Sequence, residues 1–251
     1  MVPKTPHSIL KRSILFICGA LFFTCSAQEE SSKPLHIVYD AITGNEDVGV
    51  FDGLFFTDPY KVINEYHRYY QKPNFIQGTV TYNKQPYFNL DIKYDLFEDR
   101  LLVRHVAIVG APMVQLLTPF VADFIIGNQR FVNIRKWISD EEITGFVTVL
   151  SEHDNLVLVK KHRKKRLKKI KQNIAYYEFK ENSLLFLIHN RAVIPLRKEA
   201  DLIGEFPDHK KQLKNLFAIH RMEKKKNKDQ YFLKVISDFV PTISAANTGE
   251  L

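Results

Sequence analysis

"FIQGTVTYNKQPYFNLDIKYDLFEDRLLVRHVAIVG", residues 75–110, is the stretch of the sequence that decides the fold. In its middle, apolar side chains occupy every second position, at Phe88, Leu90, Ile92, Tyr94 and Leu96. A period of two is typical of a β-strand with one buried face. The polar segments "YNKQ" and "FEDR" interrupt the pattern as turns. The predicted strands, in meander order, cover residues 75–82, 87–96 and 101–109.

The polar positions of this stretch carry acidic side chains. Asp91 and Asp95 alternate with Lys93 on the predicted solvent face, and Asp99 falls in the predicted turn. The regular spacing of the three aspartates is compatible with a metal or acid–base site. A solvated strand face explains it better, because charged side chains are rarely buried.

Further hairpins follow along the chain. In "ADFIIGNQRFVNI", Gly127 and Asn128 tolerate the positive φ that tight hairpin turns require. Two later segments turn at residues 152–155 and 181–183. Short strands that recur with turn signals favour an antiparallel sheet over βαβ units. The predicted fold class is therefore mainly β, an antiparallel meander over residues 75–196 that forms a curled sheet or an open barrel or roll.

One apolar stretch, residues 106–127, is long enough to suggest a membrane span. It is interrupted by Pro112, Gln115, Pro119 and Asp123. A span tolerates such interruptions poorly, and the flanking segments already have the pattern of strands. Buried strands are therefore the prediction, with no transmembrane span after the leader.

After Pro195 the hydrophobic period becomes helical. One short helix is predicted over residues 199–206, and a second begins with Asp208 as its N-cap. A lysine-rich link, "MEKKKNK", leads to a third helix that begins near Asp229 and ends at Pro241. Each helix has one apolar stripe, so residues 197–240 are predicted to form helices packed on the sheet. The remaining tail, residues 241–251, is predicted to be frayed.

The first 27 residues have the layout of a secretory signal peptide. Lys4, Lys11 and Arg12 precede an apolar run that is too short to span a bilayer. Cys25 and Ala27 fit a cleavage site before Gln28. In an alternative interpretation Cys25 is the lipidated cysteine of a lipoprotein. Either interpretation predicts export, to the periplasm or the periphery of the outer membrane.

Motifs for known chemistry are absent from the sequence. Both cysteines lie within the predicted leader, which excludes a disulfide, a zinc site with cysteine ligands and a cysteine nucleophile after cleavage. No histidine pair has H-x-H or H-E-x-x-H spacing, and neither G-x-S-x-G nor a phosphate-binding glycine loop occurs. We therefore predict no catalytic residues, no metal site and no cofactor.

The strongest compositional signal is "VKKHRKKRLKKIKQ", residues 159–172, which contains nine Lys or Arg. The whole chain has 36 Lys and Arg against 28 Asp and Glu; without these nine and the three of the leader, 24 cations face 28 acidic residues. The basic character is therefore local. The run continues a strand and precedes another, so it is predicted to be a long β-connection or a projecting hairpin arm.

Three functions fit such a run. It could be a solvated loop whose repulsion keeps a sheet edge from pairing with another chain. It could bind an anionic lipid, an acidic glycolipid or a polysaccharide of the envelope. Nucleic acid is disfavoured, because the run contains no aromatic side chain on which a base could stack. The candidate anion-binding residues are Lys160, Lys161, Arg163, Lys164, Lys165, Arg166, Lys168, Lys169 and Lys171.

The strand segments also resemble a family of uncharacterised exported β-rich proteins of Gram-negative bacteria. Those proteins share the core pattern V-x-Y-x-x-Q-x-Y-x-x-x-x-x-K-Y-D-x-x-x-D-x-L, and the resemblance spans most of residues 75–239. It implies export and a β-rich body, and it supplies no activity. In this chain the pattern falls on Val80, Tyr82, Gln85, Tyr87, Lys93, Tyr94, Asp95, Asp99 and Leu101.

Taken together, these patterns predict an exported, non-catalytic module of the cell envelope that supports assembly or binds an unknown envelope partner. An anion-binding protein that uses the basic arm, residues 160–171, is the first alternative. A hydrolase without a recognised motif is the second. Residues 28–74, with the aromatic cluster "YHRYY", give no structural prediction.

Overall fold

The structure is a computed structural model. It describes residues 49–51, 53–62, 65–104, 111–138, 143–153, 155–171 and 173–248, apart from the side chains of residue 171 and residues 244–248. The predicted leader, residues 1–27, lies outside the described residues, as do residues 28–48.

Within these residues the chain is mainly antiparallel β-sheet, which confirms the predicted fold class. The strands are β1 (Leu54–Phe56), β2 (Ile76–Tyr82), β3 (Gln85–Asp95), β4 (Arg100–Arg104), β5 (Met113–Gln115), β6 (Val121–Ile126), β7 (Gln129–Asn133), β8 (Phe146–His153), β9 (Leu156–Lys161), β10 (Lys164–Lys171), β11 (Ile174–Glu181), β12 (Leu184–His189) and β13 (Ala192–Pro195).

Eleven of these strands form one large sheet that is not closed into a barrel. Its order is β1-β5-β4-β3-β2-β6-β7-β8-β9-β12-β13. β10 and β11 form a separate two-stranded sheet. This hairpin is inserted between β9 and β12, which pair with each other directly and bring Lys161 opposite Leu184.

The local turns account for the meander. Gly127, with φ +60°, closes β6 onto β7 as predicted. Asn83 and Lys84 both have positive φ and close β2 onto β3. The predicted turn at residues 181–183 does not form a hairpin, because β11 pairs with β10 and β12 pairs with β9. The two strands on either side of these residues belong to different sheets.

Strand β3 departs from the predicted alternation at its start. Tyr87 is buried in place of Phe88, whereas Leu90, Ile92 and Tyr94 are buried as predicted. Asn89 has a φ of +54°, and the register of β2 against β3 shifts between Gly78 and Val80. Such a bulge adds one residue to one strand and so exchanges the two faces.

Four α-helices follow the strands, namely α1 (Glu199–Glu205), α2 (Lys210–Ile219), α3 (Arg221–Lys226) and α4 (Lys228–Thr248). Two predictions here were wrong in detail. The lysine-rich link forms most of helix α3, and Asp208 lies in a 3₁₀ turn while His209 occupies the N-cap position of α2.

The predicted end of the last helix at Pro241 was also wrong, since α4 continues to Thr248. Proline removes one backbone donor from a helix, and here the turns before it are held by buried Phe232, Ile236 and Phe239. The hydroxyl of Thr242 donates to the carbonyl of Phe239 at 2.6 Å. The tail is therefore helical up to residue 248 rather than frayed from residue 241.

The helices pack on the sheet, as predicted. Leu158 and Leu187 contact a cluster that includes Leu213, Phe232 and Phe239 of the helices. The side chains on the other face of β9 and β12 are buried as well, in a cluster with Ile134 and Ile138. Both strands are thus covered on two faces, which explains the continuous apolar runs "LVLV" and "LLFLI".

The apolar stretch of residues 106–127 forms β5, a 3₁₀ turn and β6 where it is described. Residues 106–110 lie outside the described part, as do the last five residues of the strand predicted over 101–109, whose described part is β4. Within the described ranges, no helix combines the length and the apolar character needed to cross a membrane.

Candidate functional site

The basic run forms one strand of a hairpin arm, β10–β11, rather than a loop. Lys164 pairs with Glu181 at the base, and Lys171 pairs with Ile174 at the tip. Asn173, with φ +61°, provides the left-handed residue of the tip turn. The outer edge of β11 is covered from its base to the middle of the arm, where the backbone amides of Phe179 and Tyr177 donate to the carbonyls of Tyr66 and Lys61.

The first two lysines of the run bind carboxylates inside the protein. Lys160 Nζ lies 2.7 Å from Asp229 Oδ2, at the start of α4. Lys161 Nζ donates to Asp99 Oδ2 at 2.6 Å and to the carbonyl of Thr144 at 2.9 Å. These two residues therefore fix the base of the arm and are not available to an external anion.

The Lys161–Asp99 pair belongs to a buried polar network. The hydroxyl of Tyr94, which is fully buried, also donates to Asp99. Burial lowers the pKa of Lys161 and raises that of Tyr94 well above its usual value. Gly145, with φ +79°, gives the carboxylate room, because a Cβ at this position would fall 1.6 Å from Asp99 Oδ2.

Lys164 ties the arm to the segment that precedes β2. Its Nζ donates to the carbonyl of His67 at 2.8 Å and to that of Tyr69 at 3.0 Å. Its backbone amide donates to the carbonyl of Leu96 at 3.0 Å. Burial lowers the pKa of Lys164. The ammonium group of Lys164 is therefore satisfied by backbone carbonyls of the protein itself.

Arg166 lies among aromatic rings at the base of the arm. Its guanidinium carbon is 5.1 Å from the ring centres of Tyr60 and Tyr177 and 5.4 Å from that of Phe97. Contacts of this kind between a cation and the face of a ring are attractive. The run contains no aromatic residue, but the register of the hairpin brings Tyr177 and Phe179 opposite Lys168 and Arg166.

Four exposed cations of the run have neither an ion pair nor a ring contact with a described residue: Arg163, Lys165, Lys168 and Lys169. Arg163 also lines a cleft of about 250 Å³ beside Lys161. The side chain of Lys171 is not described. Of the nine candidate residues, four are thus used within the protein and four are presented to solvent.

The outer half of the arm has its own composition. Residues 168–177, "KKIKQNIAYY", contain no acidic side chain. Ile170 is 71% exposed and Ile174 is 52% exposed. The nearest carboxylate along β11 is that of Glu178, which lies 4.0 Å from Lys180 Nζ. The tip therefore combines positive charge with exposed apolar surface.

A second charged cluster was missed by the sequence analysis. Arg68, within "YHRYY", has no exposed surface; its Nε lies 3.3 Å from Asp95 Oδ2, and its Nη2 lies 3.2 Å from Asp58 Oδ1. The prediction that Asp95 faces solvent was wrong, since it is fully buried. Asp95 also accepts hydrogen bonds from the amides of Phe97 and Glu98. An aspartate two residues before a turn amide is the local signal that suggests this geometry.

Burial and charge act in opposite directions on this pair. Burial raises the pKa of Asp95, and Arg68 offsets only part of that shift. Burial lowers the pKa of Arg68, but Asp95, Tyr69 and Asp58 together outweigh it and leave the pKa raised. Because the guanidinium is enclosed by protein, the cluster holds the segment before β2 against the turn after β3. It offers no open position to a ligand.

Among the residues that the structure describes, no three His, Cys, Asp or Glu side chains come together as a metal site would require. No protein-family model matches this chain, and no curated protein or solved structure matches it either.

Proposed function

We propose that this protein is a non-catalytic module of the cell envelope that binds an anionic partner through the outer half of the β10–β11 arm. The proposal rests on the division of the basic run into residues bound within the protein and residues exposed to solvent. Lys165, Lys168 and Lys169 are exposed without a counter-ion among the described residues, on an arm whose base is fixed by buried contacts. The location in the envelope rests on the predicted leader.

The fixed base supports binding rather than a solvated spacer. A flexible lysine-rich loop loses conformational entropy when it meets a partner, and a pre-ordered arm loses less. Here Lys161, Lys164 and Arg166 each have partners outside the hairpin. The backbone positions that carry the exposed cations are therefore fixed before any partner arrives.

The charge of the rest of the chain supports the arm as the site. Outside the leader and the run, 24 cations face 28 acidic residues. The remainder of the protein consequently repels a polyanion at long range, and the arm supplies the local attraction. This arrangement also orients the protein, with its acidic body directed away from an anionic surface.

The test replaces Arg163, Lys165, Lys168 and Lys169 by glutamine and measures binding to dextran sulfate at low and near-physiological salt. We expect wild-type binding to weaken steeply with salt, as counter-ion release requires, and the variant to lose binding. A matched control replaces Lys210, Lys211, Lys214 and Lys225, which are exposed on the helices. It makes the same change in charge and should bind like wild type.

Equal binding by the arm variant and the helix variant would exclude the arm as the site. If wild type fails to bind at low salt, the arm is a solvated edge and the proposal is wrong. Thermal unfolding of all three proteins checks that the substitutions leave the fold intact, since exposed charges contribute little to stability.

A further inference from the structure

The tip of the arm exposes two isoleucines on opposite faces. Ile170 pairs with Ala175, and Ile174 pairs with residue 171 in the next row. Successive side chains of a strand point to opposite faces, so the two isoleucines cover both sides of the tip. Ala175 is exposed as well. An arm used for charge alone has no need of this apolar surface.

The two residue pairs next to the isoleucines, towards the base of the arm, each consist of a lysine and a tyrosine. Lys169 pairs with Tyr176, and Lys168 pairs with Tyr177 in the row behind it. Both lysines are exposed and Tyr176 is half-buried, whereas the ring of Tyr177 packs against that of Tyr60. Tyrosine and lysine are the side chains that the interface between a bilayer and water favours, because each has an apolar stem and a polar end.

The spacing of these rows matches the depth of a membrane interface. Successive residue pairs of an antiparallel hairpin are about 3.4 Å apart along the strands. Segments that bind at the interface enter it by about 5–10 Å. That depth takes in the rows of Ile174 and Ile170 and brings the rows of Lys169 and Lys168 to the phosphates.

From this arrangement, and resting on the proposed function, we infer that the anionic partner is a phospholipid bilayer into which Ile170 and Ile174 insert. The lack of acidic residues in residues 168–177 suits a surface of phosphate groups. A soluble acidic polysaccharide would engage the lysines and leave the isoleucines in water. The bilayer is the anionic surface that accepts both.

The first test measures co-sedimentation with vesicles made of equal parts phosphatidylglycerol and phosphatidylcholine. We expect Ile170→Ser/Ile174→Ser to reduce vesicle affinity about tenfold, because the isoleucine side chains no longer leave water on binding. Binding of the same variant to dextran sulfate should be unchanged. The control Ile219→Ser/Met222→Ser alters side chains that are 68% and 65% exposed on the helices, and it should sediment like wild type.

A second test observes insertion directly. An environment-sensitive fluorophore is attached at Ile170→Cys in a chain whose Cys18 and Cys25 are replaced by serine. Its emission should shift to the blue when the anionic vesicles are added, and should not shift with vesicles of phosphatidylcholine alone. The same label at Lys180→Cys, near the base of the arm, should show no shift.

The outcomes separate this inference from the proposed function. Arm-dependent binding to dextran sulfate without binding to the vesicles leaves the proposed function standing and overturns the inference. Vesicle binding that is unaffected by the serine pair also overturns it, as does an unshifted label at residue 170 in sedimented protein. If wild type forms a dimer in solution that the serine pair abolishes, the isoleucines contact a second copy of the chain instead.

Discussion

The ammonium group of Lys161 lies 2.6 Å from Asp99 Oδ2, and this contact joins the base of the arm to the turn between β3 and β4. The side chain of Lys161 is 7% exposed, whereas that of Lys165, four residues later, faces solvent. Two lysines of one basic run therefore have different roles, and substitution can separate them.

Lys161→Met should lower the free energy of unfolding by about 3 kcal/mol, because it leaves the carboxylate of Asp99 without its partner. Lys165→Met serves as the control and should change stability by less than about 0.5 kcal/mol. Urea unfolding of both variants measures the difference. Equal effects would mean that the Lys161–Asp99 contact does not hold the base of the arm.

The buried pair of Arg68 and Asp95 should show strong coupling in a double-mutant cycle. Arg68→Met and Asp95→Asn should each destabilise by about 3 kcal/mol, since the first leaves Asp95 buried without an ion pair and the second leaves buried Arg68 with Asp58 as its only carboxylate. The double variant should be less destabilised than the sum of the two by at least about 1 kcal/mol. Additive effects in chemical unfolding would contradict a direct interaction.

Stability should decrease in mild acid partly because of His162. Burial lowers the pKa of His162 to about 4 from 6.5, and the ring is packed against Tyr70 and Phe131. Between these pH values the unfolded chain binds a proton that the folded chain does not, so this contribution is complete above pH 6.5 and is lost as the pH falls towards 4.

The measurement is the free energy of unfolding at pH 7 and pH 4.5 for wild type and His162→Gln. The variant should lose about 2 kcal/mol less over this interval. The exposed His153→Gln should behave like wild type. Burial also lowers the pKa of His67. This shift acts in the same direction and accounts for part of the stability that the variant still loses in acid.

Two glycines should respond to alanine with opposite signs. At Gly145 a Cβ would collide with Asp99, and the φ of +79° disfavours any side chain, so Gly145→Ala should destabilise by about 2 kcal/mol or more. Gly204 lies within α1, and apart from the adjacent residues and the backbone of that helix no described atom lies within 4 Å of the added Cβ. Gly204→Ala should stabilise by up to about 1 kcal/mol. Thermal unfolding of both variants tests the pair.

Much of the sheet could be predicted because its determinants are local. The alternation from Leu90 to Tyr94 and the glycine at residue 127 each act over a few residues, and both gave the correct strands and turn. The bulge at Asn89 could not be predicted from the alternation, since one left-handed residue exchanges the faces without changing composition. That exchange buried Tyr87 rather than Phe88.

The candidate site was predictable as a region but not residue by residue. The density of charge located the arm, but no local sequence pattern distinguishes the buried Lys161 from the exposed Lys165. The partners of Lys161 and Lys164 come from residues 62 and 97 positions away, respectively. Contacts at such separation depend on the whole topology. The same reason explains Asp95. The alternation of the strand placed it on the solvent face, whereas in the structure it is buried and pairs with Arg68.

The direct pairing of β9 with β12 makes the arm a variable-length appendage. Its two strands leave and rejoin the large sheet at the facing residues Lys161 and Leu184. Adding or removing residue pairs at the tip would alter the arm's reach in steps of about 3.4 Å without moving the residues at its base. Related chains are therefore free to evolve longer or shorter arms, and an engineer can graft another hairpin between the same two positions.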